Sequence, residues 1–281
     1  APMHTHMKVD PNLTLVYLPH LDYGLQKLGP NHPDMARHVS EVDAVVGDLL
    51  EDFQSRSVKP IIVSEYGIEP ADKPVFINRH LREAGAIDVR VEQGLELLDA
   101  GASKAFAIAD HQIAHVYVKN PADLEKYKNL CGKIEGIGKI YDKHQQKELR
   151  IDHPRSGDLV CVADKGAWFT YYYWLDDNRA PDFARCVDIH RKPGYDPCEL
   201  FIDPDIKAWK LKLTKKLIQK KLGFRTLMDF IPLDPTLVKG SHGRTDMPEE
   251  LRPVIIAEND LNSTEEEIPC QQVKSIILES M

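Results

Sequence analysis

Two apolar segments, each followed by a carboxylate and separated by an amphipathic helix, restrict the possible fold of this chain more than any other feature. Residues 13–18 lead to Asp22, and the apolar run in residues 58–68 leads to Glu65. Between them, apolar side chains recur at helical spacing over residues 35–53. A strand–helix–strand unit of this kind predicts a doubly wound, mostly parallel α/β sheet flanked by helices, with its chemistry beyond the carboxyl ends of the strands. We therefore expect Asp22 and Glu65 at one edge of the sheet.

The middle of the chain predicts a smaller α+β unit, which we expect as an inserted subdomain over residues 104–166 of a single domain that covers residues 1–281. Its pattern contains a strand in AHVYVK, a helix in PADLEKYKNLCGKI and two further strands in IGKIYD and GDLVCVAD. A last strand is predicted in residues 252–260. Residues 262–267 have the composition of a helix cap or of a solvated acidic segment.

The composition argues against several classes of protein. A net charge of −8 over 281 residues disfavours a general nucleic-acid or membrane-surface binder, because such proteins usually present a basic face. No apolar run approaches the length of about twenty residues that a transmembrane helix needs. The five cysteines have no metal-type spacing, so we interpret them as reduced thiols and expect a cytoplasmic protein.

One segment departs from this acidic balance. Residues 207–225 carry eight cationic side chains and no acidic one. We interpret the segment first as the solvated basic face of a helix. The alternative is a patch that attracts an anionic substrate or lipid headgroups.

Four places along the chain put potential ligands next to strand ends or glycine turns. They are Asp22 with Gln26, the tetrapeptide at residues 64–67, His190 in DIHRKPGYD and His242 in KGSHGR. Each has a structural alternative, because a carboxylate after a strand can cap a helix and a single histidine more often makes a structural hydrogen bond. The hypothesis of a common site therefore depends on their convergence at one edge.

Two further motifs favour structural roles. His111 and His115 in DHQIAH have the i,i+4 spacing of a helical metal pair, but the adjoining VYV predicts a strand, in which they would lie roughly 13 Å apart. We expect a structural or subdomain-interface role for both. The aromatic run at residues 168–174 is interpreted as core and edge packing rather than as a substrate cleft, because neighbouring side chains of a strand point to opposite faces.

Three motifs in register carry a resemblance to a known family. The first is VYLPHLDYGLQKLGP, the second is IIVSEYGI and the third is KGSHGRTDMPEELRPVIIA. In order and approximate spacing they resemble the nucleotide pyrophosphatase/phosphodiesterase branch of the alkaline phosphatase superfamily, and HPRSGDLVCVADKGAWF is similar to one of its strand regions. The resemblance implies an alkaline-phosphatase-like fold, of which this chain would form the C-terminal part.

The same resemblance implies a two-metal site for phosphoryl transfer, in which divalent ions clamp the phosphoryl oxygens. Asp22 and His242 match metal ligands of the family. Gln26 stands where the family has a histidine, and Glu65 with Tyr66 stand where it has an Asp-His pair. We expect Tyr66 to contact the substrate and the other four side chains to bind metal.

The replaced residues make this ligand set richer in oxygen. Mn²⁺, Mg²⁺ and Ca²⁺ prefer oxygen donors, whereas Zn²⁺ prefers nitrogen and sulfur, so we expect one of the first three ions rather than zinc, at two sites or at a single remaining one. His190 is a candidate substitute ligand because its motif places it in a turn beside Asp188. A structural hydrogen bond from this ring is the alternative.

The nucleophile implied by the resemblance is a threonine or serine upstream of the segment that matches Asp22. Thr5 and Thr14 are the hydroxyl residues that precede Asp22, and neither follows a suitable strand and turn. We therefore expect the nucleophile and the opening strands of the fold outside this chain. We also expect an N-terminal portion or a second chain to cover the sheet edge that those strands would otherwise pair with.

The sequence thus predicts a metal-dependent phosphoric ester hydrolase that acts on a small-molecule phosphoester. Two alternatives stay open: a binding or scaffold protein on a catalytically degenerate core, and a relative that rearranges a phosphoryl group. A degenerate core predicts little stabilisation by metal, since a ligand that binds only the native state must stabilise it.

Overall fold

The computed structural model describes residues 8–9, 11–257 and 267–281. It is a mixed α/β structure that divides into two compact units. Unit 1 comprises residues 1–24, 32–67 and 248–281, and unit 2 comprises residues 25–31 and 68–247. Within the described residues, no helix combines the length and the apolar character needed to cross a membrane.

Short helices and short strands alternate along the chain. The α-helices are α1 (His20–Leu28), α2 (Met35–Gln54), α3 (Ile77–Glu83), α4 (Leu124–Cys131), α5 (Trp209–Lys221) and α6 (Val273–Glu279). The strands are β1 (Ile61–Val63), β2 (Glu69–Pro70), β3 (Lys73–Val75), β4 (Val89–Glu92), β5 (Leu95–Leu98), β6 (Ala105–Asp110), β7 (Ile113–Val118), β8 (Ile137–Asp142), β9 (Leu159–Ala163), β10 (Ala167–Phe169), β11 (Gly240–Ser241) and β12 (Ile255–Ala257). Of the helices predicted from apolar periodicity, α2 is confirmed nearly to the residue.

The prediction of a strand at residues 13–18 is wrong. These residues have no regular secondary structure, and Leu15 exposes 81% of its surface. A strand needs a hydrogen-bonded neighbour, and among the described residues no strand pairs with this segment. Asp22 consequently lies inside α1 rather than after a strand. That helix is favoured by leucines at i, i+4 and i+7 from Leu21.

The second predicted strand forms, and it ends just before Glu65 as expected. β1 is shorter than the predicted segment and pairs antiparallel with β12, so that Ile61 faces Ala257 and Val63 faces Ile255. β12 also confirms the last predicted strand. Residues 258–260 of that prediction and residues 262–266 of the acidic segment lie outside the described residues.

The strand pairing differs from the mostly parallel sheet predicted from the sequence. β3 and β10 form a parallel pair, and the other strand pairs of the described residues are antiparallel. The largest sheet has the order β6-β7-β9-β8. Its first two strands are joined by residues 111–112 alone, and a connection this short permits only an antiparallel pair.

The elements predicted within residues 104–166 are confirmed as β7, α4, β8 and β9. Alternate residues of β6 are buried, beginning with Ala105 and ending with Ala109, which is the period expected of a strand with one face on the core. All of these elements belong to unit 2. The boundaries of an inserted subdomain stay a prediction.

The aromatic run packs in the core, as predicted. The aromatic side chains at positions 168, 169 and 171–174 are each at most 1% exposed. The rings of Tyr172 and Trp174 stack with their centroids 4.6 Å apart. They form part of the main cluster of unit 2, together with the inner face of the four-stranded sheet.

A buried cation lies beside this aromatic core. The side chain of Lys192 is fully buried, and its Nζ atom is 2.8 Å from Asp196 and 2.6 Å from Glu199. Asp196 also accepts a hydrogen bond from the backbone N–H of Cys198 at 3.1 Å. A charge in such surroundings persists only because it is paired and hydrogen-bonded.

Removal of this cation should destabilise the protein strongly. Lys192→Ala leaves two buried carboxylates without a counter-charge, so we expect the free energy of unfolding to fall by about 3–5 kcal/mol. Urea denaturation followed by circular dichroism measures the change. As a control, Lys215→Ala removes an exposed cation and should change the free energy by less than about 0.5 kcal/mol. Equal effects of both substitutions would contradict this account of the buried network.

Candidate functional site

In unit 1, the structure brings Asp22 together with the segment that follows β1. The phenol of Tyr66 donates a hydrogen bond to Asp22 Oδ1 at 3.1 Å. α1 positions the carboxylate, and the loop after Val63 positions Tyr66 and the exposed Glu65. The predicted association of residue 22 with the residues around 65 is therefore present in this unit, although Asp22 reaches it from a helix.

The electrostatic surroundings keep Tyr66 protonated. Partial burial, the charge of Asp22 and the hydrogen bond to that carboxylate raise the pKa of Tyr66 well above that of a free tyrosine, with smaller contributions from Tyr17 and Glu65. Tyr66 is consequently a neutral hydrogen-bond donor at physiological pH.

In unit 2, His242 follows β11 and packs against another histidine. The ring centroids of His242 and His111 are 3.8 Å apart, and those of His111 and Tyr195 are 4.5 Å apart in a stacked arrangement. Burial, followed by the proximity of His242, lowers the pKa of His111 well below its usual value. His111 is therefore a neutral imidazole.

His111 has a positive φ, which is uncommon for residues other than glycine, although asparagine, aspartate and histidine adopt it more often than most. It lies in the two-residue loop between β6 and β7 with a φ of 54°. Its neighbour Gln112 donates its backbone N–H to the carbonyl of His242 at 2.9 Å. The hairpin loop is thus held against the His242 segment. His111 therefore has the expected structural role, since its ring packs against His242 where the loop is held.

A buried ion pair lies next to His242 in sequence. Arg244 Nε is 3.3 Å from Glu69 Oε1, and the same oxygen accepts a hydrogen bond from Gln112 Nε2 at 2.7 Å. Glu69 is 1% exposed. Glu69 and Arg244 were not predicted as site residues, because no local pattern links two positions so far apart along the chain.

The remaining predicted residues lie in different surroundings. Gln26 belongs to unit 2 and is 1% exposed, with its backbone carbonyl accepting from Lys239 N at 2.9 Å. His190 is exposed in a turn, and the neighbouring Asp188 lies 3.9 Å from Arg191. His115 accepts a hydrogen bond from the backbone of residue 157 at 3.0 Å, which confirms its structural role.

Another group of side chains in unit 1 has a geometry that could hold a metal ion. His20, His38 and Glu41 place one ligand atom each within 4.8 Å of one another. This group was not predicted from the sequence. The sequence feature that could have indicated it is the i,i+3 spacing of His38 and Glu41 on the predicted helix, which puts both on one face. His20 joins them only through tertiary structure.

The sequence profile of the type I phosphodiesterase/nucleotide pyrophosphatase family matches residues 2–196, more than half of the chain. The chain belongs to this family. The resemblance to this family is thereby confirmed, although the third motif, which contains His242, lies beyond the matched residues.

Individual relatives of this family member are similar over parts of their length. An uncharacterized pyrophosphatase/phosphodiesterase of Schizosaccharomyces pombe is 34% identical over 64 residues, which are 21% of this chain and 13% of that protein. Murine ectonucleotide pyrophosphatase/phosphodiesterase 5 aligns with 59% of this chain and 42% of its own, at 19% identity and a TM-score of 0.45. Phosphonoacetate hydrolase from Sinorhizobium meliloti 1021, in complex with phosphonoformate, aligns with 63% and 42% at 12% identity and a TM-score of 0.43. The chain spans less than half the length of each relative.

The hydrogen bond between Tyr66 and Asp22 should make stability depend on alkaline pH. Because the pKa of Tyr66 is raised in the native state, its stabilising contribution is complete below about pH 10, where tyrosines of the unfolded chain begin to ionise, and declines above it. We expect the difference in unfolding free energy between the wild type and Tyr66→Phe to fall between pH 9 and pH 11. Urea denaturation at both pH values measures it, and a constant difference would contradict the raised pKa.

Proposed function

We propose that the protein is a metal-dependent phosphoric ester hydrolase of the phosphodiesterase/nucleotide pyrophosphatase type, acting on a small-molecule phosphoester by in-line phosphoryl transfer. The family match over residues 2–196 carries this proposal, because it includes the motifs of Asp22 and of Glu65. The contact between Asp22 and Tyr66 supports it, since it joins those two motifs within one unit.

The proposed metal ligands follow from position in the family motifs. Asp22 and Glu65 are assigned to metal in unit 1, and His242 and Gln26 are assigned to metal in unit 2. His190 is the weakest assignment, because it is exposed in a turn beside an aspartate close to Arg191.

Tyr66 fits a substrate contact better than a metal ligand. Its raised pKa keeps the phenol protonated, so it can donate a hydrogen bond to a phosphoryl oxygen while Asp22 orients its side chain. The proposed metal set then consists mainly of carboxylate and amide oxygen with one imidazole. Such donors suit Mn²⁺, Mg²⁺ or Ca²⁺ better than Zn²⁺. A bound divalent ion would polarise the phosphoryl oxygens and lower the pKa of the attacking group.

The nucleophile and part of the fold are proposed to come from a further N-terminal portion or from a second chain. In the described residues β1 pairs with β12 alone, so β1 offers a second edge to another strand. Further strands on that edge would be needed for the doubly wound parallel sheet expected from the sequence. A cytoplasmic location stays part of the proposal and is supported by the five free cysteines.

The competing proposal is a binding or scaffold protein on a degenerate core. It is favoured by Gln26 and Tyr66, which stand where the family has histidines. The two proposals differ in whether a divalent ion supports turnover.

Turnover of bis(p-nitrophenyl) phosphate tests the enzymatic proposal. With protein that includes any further N-terminal portion, we expect hydrolysis that depends on added Mn²⁺ or Mg²⁺. We expect a loss of at least about 100-fold in kcat/KM on Asp22→Ala, because the effect of a metal ligand should equal or exceed that of its supporting residues. Asp43→Ala, an exposed carboxylate on α2, is the matched control and should retain activity.

Two outcomes would contradict the proposal. Unchanged turnover in Asp22→Ala would remove Asp22 from the site. No turnover with Mn²⁺, Mg²⁺, Ca²⁺ or Zn²⁺, by protein that includes any further N-terminal portion, would favour the binding or scaffold protein.

A further inference from the structure

Three ligand atoms of unit 1 converge on one point. His20 Nε2 lies 3.2 Å from His38 Nδ1 and 3.0 Å from Glu41 Oε2, and the last two atoms are 3.8 Å apart. A triangle with these sides has a point about 2.0 Å from all three atoms, close to the bond lengths of about 2.0–2.2 Å that zinc makes with imidazole nitrogen and carboxylate oxygen. The atoms are thus already spaced as ligands of one ion.

The side chains that carry these atoms are held from outside the triangle. Arg37 Nη1 binds the other carboxylate oxygen of Glu41, Oε1, at 2.6 Å, which directs Oε2 towards the two histidines. The α-carbon of Gly24 lies against the His38 ring, since a Cβ at that position would be 3.4 Å from its Cγ and Nδ1 atoms. Gly24 is one turn after His20 in α1, so the face of α1 that carries His20 is in contact with the His38 ring.

The surroundings suit an ion that keeps one position for solvent. The side chains of His20 and Glu41 are 40% and 43% exposed, and that of His38 is 17% exposed. Two imidazoles and one carboxylate, with a fourth position open to water, form a ligand set found at zinc sites. None of the three residues stands at a position that the family resemblance assigns to metal.

We propose that His20, His38 and Glu41 form a zinc-binding site in unit 1, separate from the ligands assigned to the phosphoester site. The two sets differ in chemistry: this one has two nitrogen donors and one oxygen donor, whereas the ligands assigned to the phosphoester site are mainly oxygen donors. The order of preference among ions should therefore differ between them.

Titration with Zn²⁺ tests the site directly. We expect Zn²⁺ affinity, measured by competition with a chromogenic chelator, to fall by at least about 100-fold in His38→Ala and by about 10- to 100-fold in Glu41→Gln. Glu51→Gln replaces an exposed glutamate of the same helix and should leave the affinity unchanged. Co²⁺ in place of zinc should give visible d–d absorption in the wild type that is lost in His38→Ala. Circular dichroism without metal verifies that each variant folds.

The outcomes separate this inference from the proposed function. Asp22→Ala should abolish turnover and leave the Zn²⁺ affinity unchanged. His38→Ala should lower the Zn²⁺ affinity and retain all or part of the turnover. Equal Zn²⁺ affinity in the wild type, His38→Ala and Glu41→Gln would overturn the zinc site, even if the protein hydrolyses phosphoesters.

An independent observation concerns α5, which directs two of its lysines towards the protein and leaves several apolar side chains exposed. Lys212 and Lys216 face the protein, where their Nζ atoms lie 3.0 Å and 2.7 Å from the carboxylate of Asp229. Lys212 also lies over the ring of Phe230, 4.9 Å from its centroid. These two lysines are therefore paired with groups of the protein instead of facing water.

Three apolar residues of this helix and its C-terminal cap are exposed. Leu211, Ile218 and Leu222 are 72%, 54% and 69% exposed, and their spacing of i, i+7 and i+11 puts them in one stripe. Exposed lysines at positions 210, 215 and 221 lie on the flanks of this stripe. With no acidic residue in residues 207–225, the surface combines an apolar stripe with uncompensated positive charge.

We infer that the exposed face of α5 binds the surface of an anionic lipid bilayer. The apolar stripe would contact the acyl chains at the bilayer surface, and the lysines on its flanks would contact the negatively charged headgroups. The inferred lipid contact corresponds to the alternative stated for residues 207–225, and it involves one face of unit 2 rather than the protein as a whole.

Co-sedimentation with vesicles tests this surface. We expect at least about tenfold tighter binding to phosphatidylcholine vesicles that contain 30% phosphatidylserine than to pure phosphatidylcholine, and weaker binding as salt is raised. The triple variant Leu211→Ser/Ile218→Ser/Leu222→Ser and the triple variant Lys210→Gln/Lys215→Gln/Lys221→Gln should each lose this binding. Val187→Ser/Ile189→Ser, which changes exposed apolar residues elsewhere in unit 2, should keep it.

Equal binding to neutral and anionic vesicles, or equal binding by all variants, would overturn the inference. If the leucine and isoleucine substitutions instead dissolve an oligomer seen by analytical ultracentrifugation and no vesicle binding occurs, the stripe is a contact between copies of the chain. Thermal unfolding of each variant verifies that the fold is retained.

Discussion

The organisation of unit 2 depends on one buried amide side chain, that of Gln112. Its Nε2 atom donates to Glu69 Oε1 at 2.7 Å and to the carbonyl of Ala167 at 3.0 Å, while its backbone N–H donates to the carbonyl of His242 and its own carbonyl accepts from Ala163. The β6–β7 hairpin loop is thereby bonded to β2, to the end of β9, to the start of β10 and to the His242 segment. A fully buried polar group must make such bonds, and here they bring the third family motif to its place in the unit.

The same loop explains why a histidine with a strained backbone is present. His111 has a positive φ, which costs roughly 1–2 kcal/mol for a residue with a side chain, and its ring contacts those of Tyr195 and His242. The tight hairpin loop thus places this ring against the histidine of the third motif. Burial, and secondly the proximity of His242, lowers the pKa of His111 and favours its neutral form.

In unit 1 the chemistry is divided between two neighbouring sets of side chains. Asp22 and His20 are two residues apart on α1, so they point to different faces of the helix. Asp22 accepts a hydrogen bond from the phenol of Tyr66. His20 contacts the imidazole of His38 and the carboxylate of Glu41 on α2. The first set consists of oxygen donors and the second is rich in nitrogen. One short helix therefore presents two environments that differ in the ions they would prefer.

The sequence alone determined the features that depend on local periodicity: α2, the strands and helix within residues 104–166, the burial of the aromatic run, and the family to which the motifs belong. These are set by neighbours a few residues apart along the chain. Tertiary structure decided what residues 13–18 become, because a strand exists only if another strand pairs with it. It also decided that β1 pairs antiparallel with β12 from the far end of the chain, that His111 meets His242, and that His20 joins His38 and Glu41. Each of these contacts joins positions at least eighteen residues apart, and no local pattern encodes such a separation.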